Sequence, residues 1–401
     1  MNAQVPARLA TALAAAPSDR LVLDLAGIAD AHRRLTRELP GAAVRFAVKS
    51  CPVDEVLTCL AGAGAGFDAA SPAEIAQVLR LGVPARLIHY GNTVKSDAEI
   101  AEAHRLGIRT FATDSVEDVT AVAAYAPGAR VFCRLATSGD GALWGLSHKF
   151  GCSPEGAVRV LTAARAAGLT PAGLSVHVGS QQMTTEAWTE AAETLAGTLL
   201  ALRAHGIAPD HVNLGGGLPA VGYLDRRGRP LEPPLDKMFA VMRDGMDRLR
   251  QVNGGPLAFV VEPGRHLVAD HGAVRAHVSR LTTRRGPGGQ DAHWLYLSVG
   301  KFNGLYEMDQ LCHRMVFPGR TGEALVSAVV AGPTCDSDDA YADPAQRVPR
   351  GLASGDPVWI LSAGAYATSY MTRGFNGFPP LPYALAGDVT PAAAPAEGRQ
   401  R

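Results

Sequence analysis

Residues 44–49 read VRFAVK, a short apolar run that ends in a lysine and is followed closely by Pro52. The β-branched and aromatic side chains favour a strand, and Pro52 opposes its continuation as a helix. A lysine at the carboxyl end of such a strand is a candidate for covalent cofactor chemistry, because burial lowers the pKa of the ammonium and frees a nucleophilic amine. An exposed lysine at a strand end is the commoner reading, so the interpretation of Lys49 depends on the rest of the chain.

From about residue 40 to residue 265, short apolar runs alternate with stretches of helical periodicity such as 72–81 and 184–204. This alternation predicts a parallel sheet, and eight repeats predict a closed, TIM-like (β/α)8 barrel of the α/β class. An open doubly wound sheet is the alternative, but no G-x-G-x-x-G follows the first strand. The predicted strands are 44–48, 66–70, 86–90, 109–112, 131–136, 173–178, 211–214 and 257–262.

Beyond about residue 270 the pattern changes to strand-like runs with few helical stretches, punctuated by Gly and Pro. It predicts a C-terminal antiparallel β domain with strands at 274–281, 294–299, 324–330 and 357–361. An early strand-like run, 21–25, is expected to join that sheet. The predicted organisation is an N-terminal segment 1–25 that joins the β domain, a cofactor-binding barrel 26–268, a β domain 269–387 and a disordered tail 388–401.

Composition excludes several classes of function. The net charge of the 401 residues is zero and no basic stripe is visible, which argues against nucleic acid as a partner. The six cysteines show no C-x-x-C spacing and no grouping with histidine, so we expect free thiols, no metal centre and a reducing compartment. No apolar run approaches the ~20 residues of a membrane span, and no signal-peptide pattern develops at the N-terminus. A cytoplasmic protein is expected.

In a barrel of this kind, chemistry gathers at the carboxyl ends of the strands. Three consecutive glycines follow the seventh predicted strand, and their bare amides can approach an anion closely. Loops after the seventh and eighth strands commonly bind phosphate in barrels. A lysine, a phosphate cradle and a buried acid together suit pyridoxal 5′-phosphate (PLP), because the acid keeps the pyridine nitrogen protonated. The candidates at the strand ends are Lys49, Asp68, His177, Ser180, Gly215, Gly216, Gly217, Glu262, Gly264 and Arg265.

Ten short segments carry a resemblance to a known family. In these segments the chain resembles the fold-type III PLP-dependent decarboxylases, which include the ornithine and diaminopimelate decarboxylases, over about residues 20–380. The segments are FAVKS (46–50), GFDAASPAEI (66–75), RLATSGD (134–140), LSHKFG (146–151), SVHVGSQ (175–181), NLGGGLP (213–219), VEPGR (261–265), GPTCDSDD (332–339), GAYATSY (364–370) and FNGF (375–378).

The resemblance implies a role for each matching residue. Lys49 would hold the cofactor covalently, His177 would stack on the pyridine ring and Glu262 would pair with the pyridine nitrogen. Asp68 and Glu74 would support this pocket, and Arg134 would have a positioning role. The phosphate would be bound by Ser180, Gly215, Gly216, Gly217, Gly264, Arg265 and Tyr366.

The resemblance also implies a shared active site in a homodimer. Cys335 would protonate the carbanion after CO2 leaves, and Asp336 would bind the remote amino group of the substrate. Both would reach the active site from the partner subunit. A second acidic contact with the substrate is expected between residues 300 and 315. Tyr306, Glu307 and Asp309 are all candidates for it.

The resemblance implies removal of the α-carboxylate of a dibasic L-amino acid. Conversion of L-ornithine to putrescine is the first candidate reaction. The thiol motif reads Cys-Asp-Ser rather than the Cys-Glu-Ser of diaminopimelate enzymes, which favours the ornithine/lysine branch. Lysine, diaminopimelate or an unusual or carrier-bound amino acid are alternative substrates. A non-catalytic, PLP-binding regulatory homologue and a racemase are alternative functions. One departure from the family is Ser-Cys-Pro after Lys49, where many relatives have Ala-Asn.

Overall fold

The computed structural model describes residues 5–145, 149–285, 289–341 and 346–387. The predicted tail 388–401 and part of the LSHKFG motif, residues 146–148, lie outside the described residues. The chain divides into two compact units. The barrel unit comprises Ile28–Ala220 and Glu232–Leu267, and the β unit comprises Met1–Gly27, Val221–Leu231 and Val268–Arg401.

The barrel unit contains eight parallel strands that close on themselves, which confirms the predicted (β/α)8 barrel. The last strand pairs with the first, from Phe259↔Ala42 to Val261↔Val44. The strands are Ala42–Ala47, Gly66–Ala69, Ile88–Tyr90, Thr110–Thr113, Arg130–Arg134, Thr170–Ser175, His211–Asn213 and Ala258–Val261. The helices that accompany them are Leu25–Glu38, Asp54–Gly62, Pro72–Arg80, Asp97–Arg105, Val116–Tyr125, Pro154–Ala166, Glu186–Ala204 and Leu235–Asn253.

Local chemistry explains why helices begin soon after the strands end. Ser71, Ser96, Ser115 and Ser153 each occupy an N-cap position, where the side-chain oxygen accepts a hydrogen bond from a backbone N–H in the first turn. The strands are buried under these helices, as the second strand, Gly66–Ala69, shows along its whole length. Helix starts therefore lie at the same end of the barrel as the candidate catalytic residues.

The first and sixth predicted strands end further along the chain than the observed strands do. The first ends at Ala47, and Lys49 lies in the 3-10 turn Val48–Ser50. The sixth ends at Ser175, so His177 lies in a loop that turns at Gly179, whose φ is +93°. The alternating valines around His177 look like a strand in the sequence, but the positive φ at the following glycine ends the extended conformation.

The β unit contains an eight-stranded sheet that is mostly antiparallel, as predicted. Two of its pairs are parallel: Asp291–Leu297 with Leu325–Ala331, and Arg20–Leu23 with Tyr383–Leu385. Parallel neighbours need a long connection, and residues 298–324 provide one between the first pair. The strands are Arg20–Leu23, Gly272–Arg285, Asp291–Leu297, Met315–Val316, Leu325–Ala331, Gln346–Pro349, Pro357–Ile360 and Tyr383–Leu385.

Shorter elements complete the structure. The helix Ala7–Ala15 packs Leu9 and Leu13 against Val22 and Ala273 of the β unit. In the barrel unit, Ala142–Trp144 and Ser180–Gln182 form a two-stranded antiparallel ribbon. Among the described residues, no helix is long and apolar enough to cross a membrane. The remaining helical elements are Arg265–Val268, Ala85–Leu87, Ala269–His271, Lys301–Asn303, Tyr306–Asp309 and Phe375–Gly377.

Candidate active site

Lys49 lies just beyond the first barrel strand, in a turn that is fixed on both sides. Ser50 Oγ donates a hydrogen bond to the Ala47 carbonyl (2.8 Å), and the Ala47 N–H donates to the Pro263 carbonyl beyond the eighth strand (3.1 Å). The Lys49 side chain is 48% exposed, and its Nζ lies 3.9 Å from Oδ2 of the buried Asp68. The amine therefore lies over the carboxyl end of the barrel beside a carboxylate, where a bound molecule can reach it.

A buried carboxylate, Asp68, and a partly buried one, Glu262, meet behind this lysine. Asp68 and Glu262 both approach Nε2 of His89, at 3.2 Å and 2.7 Å respectively. Asn213 donates a side-chain hydrogen bond to the same Glu262 oxygen, Oε1. Burial would raise the pKa of Asp68, but the hydrogen bond from His89 and the charge of Lys49 outweigh burial and lower that pKa. Sequence reasoning did not identify His89 or Asn213 as members of this cluster.

His177 is an uncharged ring near the same carboxylates. Burial, with smaller effects from the charges of Arg134 and Lys49, lowers its pKa to about 3. Its Nδ1 accepts a hydrogen bond from the Gly179 N–H (3.1 Å), and its carbonyl accepts one from Thr137 (2.8 Å). A neutral imidazole held by its backbone and by Nδ1 is suited to contact the face of an aromatic ring.

The Gly215–Gly217 loop requires glycine for close backbone contacts. Gly215 has φ +69° and Gly217 has φ +111°, and a Cβ at Gly215 would lie 2.0 Å from the Val176 carbonyl oxygen. The Gly215 N–H is occupied, because it donates to Asn213 Oδ1 (2.8 Å). The Asn213 side chain thus links the glycine loop to Glu262, because its Oδ1 accepts from Gly215 and its Nδ2 donates to Glu262.

Arg265 and Ser180 meet on the same side of the barrel. Arg265 is 3% exposed, donates to Ser180 Oγ (3.3 Å) and lies over the Trp144 ring with its guanidinium carbon 4.7 Å from the centroid. Gly264 is packed so closely on Ser50 that a Cβ would lie 2.9 Å from the Ser50 Cβ. A buried guanidinium beside a hydroxyl and glycine amides is the set of donors that a phosphate group requires.

Glu74 and Arg134 support this end of the barrel. Glu74 Oε2 accepts a hydrogen bond from the Ala70 N–H (2.7 Å) and thereby fixes the turn after the second strand. Burial raises the pKa of Glu74. Burial lowers the pKa of Arg134, whose guanidinium lies over the Phe150 ring at 4.9 Å, although the charge of Glu262 opposes this effect.

In the β unit, Cys335 and Asp336 lie on an exposed turn that is held by hydrogen bonds to a buried aspartate. The buried Asp339 accepts hydrogen bonds from the Thr334 N–H (3.0 Å), the Thr334 hydroxyl (2.7 Å) and the Lys301 N–H (2.7 Å). Gly300 and Gly332 flank Asp339 so closely that a Cβ on either would lie within 2.2 Å of its Oδ1. The sequence pattern did not single out Asp339.

The thiol of Cys335 has a specific neighbour, Asn376. The Asn376 amide donates to Cys335 Sγ (3.3 Å), while its Oδ1 accepts from the Cys335 N–H (2.9 Å). Asn376 and Tyr366 both have positive φ, +52° and +60°. Left-handed backbone in residues other than glycine is uncommon and concentrates at functional sites.

The acidic residues of the 300–315 region differ in their surroundings. Asp309 forms an ion pair with Lys301 (2.8 Å), and Lys301 also lies 3.7 Å from Asp338. Glu307 is half-buried, whereas Tyr306 is exposed. The carboxylate of Asp309 is therefore neutralised within its own loop.

A lysine amine beside buried carboxylates, a neutral histidine ring and a phosphate-type donor set define a PLP-binding barrel, because each group of this cofactor has a chemical match. Residues 25–269 match the family described as "Pyridoxal-dependent decarboxylase, pyridoxal binding domain", and the chain belongs to that family. It is a PLP-dependent decarboxylase.

Curated and solved relatives agree with this assignment. The lysine/ornithine decarboxylase of Selenomonas ruminantium is 32% identical over 367 residues, which are 90% of this chain and 88% of that protein. The structure of SrLDC in complex with PLP and cadaverine has a TM-score of 0.82 at 28% identity and covers 96% of this chain and 95% of that one. The structure of the lysine/ornithine decarboxylase of Vibrio vulnificus complexed with putrescine has a TM-score of 0.79 at 27% identity. It covers 94% of this chain and 96% of that one.

Proposed function

We propose that this enzyme removes the α-carboxylate of a dibasic L-amino acid, with L-ornithine as the first candidate and L-lysine as the second. The observation that carries the proposal is the Cys335-Asp336 turn, which presents a thiol and a carboxylate side by side. Relatives that act on lysine and ornithine support the substrate class. A carboxylate in a closed pocket prefers a terminal ammonium, because either charge left buried without a partner costs several kcal/mol.

The barrel residues bind and orient the cofactor in this proposal. Bound PLP supplies an electron sink for the pair left at Cα when CO2 departs. Lys49 holds it covalently, and the uncharged His177 ring packs on its face. Glu262 offers its second oxygen, Oε2, to the pyridine nitrogen, since the described contacts of this carboxylate use Oε1.

In this proposal the glycine loop and Arg265 bind the phosphate group. Because the Gly215 N–H already donates to Asn213, its part is to shape the loop, and the amides of Gly216 and Gly217 are assigned to the anion. Arg265 supplies the positive charge. The other phosphate ligands in the proposal are Ser180, Gly264 and Tyr366.

Cys335 is assigned the proton transfer that follows loss of CO2. Its thiol would give its proton to Cα and be left as a thiolate, which is the stronger hydrogen-bond acceptor. The Asn376 amide, 3.3 Å from Sγ, is placed to stabilise that charge. The thiol therefore controls the fate of the carbanion rather than the loss of CO2.

Of the open candidates for a second acidic contact, Glu307 is the one we propose. Asp309 is exposed and forms an ion pair with Lys301 in its own loop. Glu307 is two residues away in the same 3-10 turn, Tyr306–Asp309, and is more buried. A half-buried carboxylate discriminates charge better than an exposed one, because solvent screens it less.

A homodimer with shared active sites is part of the proposal. Cys335 and Asp336 are both exposed at the surface of the chain, yet their turn is fixed by a buried aspartate. A rigid exposed turn that carries reactive side chains is suited to complete a site in a second subunit.

The test is release of CO2 from ornithine, lysine, arginine and meso-diaminopimelate, measured as kcat/KM with added PLP. We expect ornithine or lysine to exceed diaminopimelate by at least ~100-fold, and Asp336→Asn to lower that preference. Asp338→Asn, the same change two residues along the turn, is the matched control. A preference for diaminopimelate or for an uncharged amino acid would contradict the substrate assignment. PLP binding without CO2 release from any amino acid would support the regulatory homologue.

Glu307 and Asp309 can be compared in the same assay. Glu307→Gln should raise KM for the dibasic substrate more than Asp309→Asn does, because the Glu307 carboxylate is the less exposed of the two and solvent screens it less. The reverse order would show that the ion pair opens when substrate binds.

A further inference from the structure

His89 lies at the centre of the barrel site although nothing in its sequence context marks it. It occupies the third strand, Ile88–Tyr90, and is the register partner of Asp68 on the second strand. It is fully buried, and its ring packs on Phe132 at 5.3 Å between centroids. An apolar side chain would fill this position at a lower desolvation cost, so the imidazole is there for its polar atoms.

Those polar atoms are placed between the two carboxylates. Nε2 lies 2.7 Å from Glu262 Oε1 and 3.2 Å from Asp68 Oδ1. One N–H cannot point at both oxygens at once, and in these short contacts it is aligned well with neither of them. Without a donor between them, two carboxylates at this separation in a buried site would not both remain ionised.

Titratable groups on the neighbouring strands face the same cluster. Arg45, from the first strand, and Arg134, from the fifth, both interact electrostatically with Asp68 and Glu262. Lys49 interacts with Asp68, and His211, from the seventh strand, interacts with His89. Burial opposes charge on His89, but its contacts with Asp68 and Glu262 outweigh burial and raise its pKa.

We propose that His89 is a positioning residue that bridges Asp68 and Glu262, keeping Glu262 ionised and directing its Oε2 toward the pyridine nitrogen of the cofactor. This inference rests on the role proposed above for Glu262. His89 acts through the carboxylate and makes no contact with the substrate in this scheme. Asn213 has a parallel role, since it holds the same oxygen and ties it to the glycine loop.

The experiment compares His89→Leu, which removes the donor, with His89→Gln, which keeps a neutral N–H of similar reach. The matched control is His211→Gln, on the seventh strand, whose pKa burial lowers to about 3 and which does not touch either carboxylate in the described contacts. Three quantities are measured: the Kd of the apoprotein for PLP, the visible absorbance of bound PLP between pH 6 and 9, and the metal content of the purified protein.

We expect His89→Leu to weaken PLP binding by about tenfold or more and to shift the pH dependence of the absorbance, because Glu262 then takes up a proton. His89→Gln should stay within about threefold of wild type. His211→Gln should leave the absorbance profile unchanged. If His89→Leu does not fold, His89→Asn replaces it, since that amide is too short to reach Glu262.

Several results would overturn the inference. One is a donor-free variant with the PLP affinity and absorbance profile of wild type. Another is a stoichiometric divalent metal, because Asp68, His89 and Glu262 place their ligand atoms within 4.8 Å of one another. A Glu262→Gln variant, measured in the same way, separates failure of the role proposed for Glu262 from failure of the role proposed for His89. If that change leaves PLP spectra unaltered, the role of Glu262 fails; if it alters them and His89→Leu does not, only the role of His89 fails.

Discussion

The proposed cofactor side and the proposed proton-donor side of this enzyme are built differently. Around Lys49 the polar groups are buried and hold one another within the barrel unit, through Asp68, His89 and Glu262. Around Cys335 the reactive groups are exposed, and only the aspartate beneath them is buried. The first arrangement suits a resident cofactor that must be oriented continuously. The second suits a group that meets its substrate only after another surface has covered it.

The largest effect expected concerns the cofactor side. Lys49→Ala should abolish the covalent, borohydride-reducible PLP adduct and lower turnover by roughly 10³-fold or more, because the attacking amine is lost. The barrel should stay folded, since this side chain is half-exposed. Mass spectrometry after reduction detects the adduct. A reducible adduct on the variant would place the covalent bond on another lysine.

The next effect concerns the proton-donor side. Cys335→Ala should still bind PLP and release CO2, but turnover to the amine should fall by ~10²–10⁴-fold, as for loss of a positioned acid. Part of the product should change to a carbonyl compound through decarboxylative transamination. Ser337→Ala, in the same turn, is the control. An unaltered rate and product ratio in Cys335→Ala would remove the thiol from the mechanism.

The comparison between the two sides can be tested directly by mixing subunits. Lys49→Ala and Cys335→Ala should each form almost no amine, yet their mixture should recover up to roughly a quarter of the wild-type rate of amine formation. Random exchange makes half of the dimers mixed, and each mixed dimer has one intact site of two. Native mass spectrometry confirms the exchange. Complete exchange without recovery would place both residues in the same subunit.

A smaller effect is expected on stability. Asp339→Asn removes the charge that accepts hydrogen bonds from Thr334 and Lys301, which should cost about 2 kcal/mol of unfolding free energy in the β unit. Asp338→Asn, on the exposed side of the turn, should change it by less than about 0.5 kcal/mol. Denaturant titration of both variants provides the measurement. Equal effects would mean that the turn is held by its backbone alone.

The smallest effect is a pH dependence. The pKa of Asp68 is lower in the folded protein, so its stabilisation is present above the unfolded value, about 3.9, and is lost as pH falls through the folded value. Apoprotein unfolding followed from pH 6 to pH 3 should therefore show a steeper loss of stability in wild type than in Asp68→Asn. Parallel curves would indicate that other carboxylates dominate acid unfolding.

The sequence was most informative where chemistry and backbone requirements coincide. Lys49 and the Gly215–Gly217 loop could be predicted, because a strand-end lysine and three glycines restrict the possible conformations. His89 could not, since a histidine among apolar strand residues looks like core, and its partners come from different strands that only barrel closure brings together. The proposed choice of Glu307 over Asp309 depends on which carboxylate is less exposed, and a linear pattern does not contain that information.

The close packing of Gly300 and Gly332 on Asp339 limits how this enzyme can change its substrate. The loop that carries Glu307 and the turn that carries Cys335 share one buried carboxylate, and neither glycine can accept a side chain without colliding with it. Mutations that move the Glu307 loop at its base would also move the Cys335 thiol. Under the role proposed for Glu307, new specificities would therefore arise mainly through changes between residues 302 and 309, where the length of the side chains can vary while Asp339 stays in place.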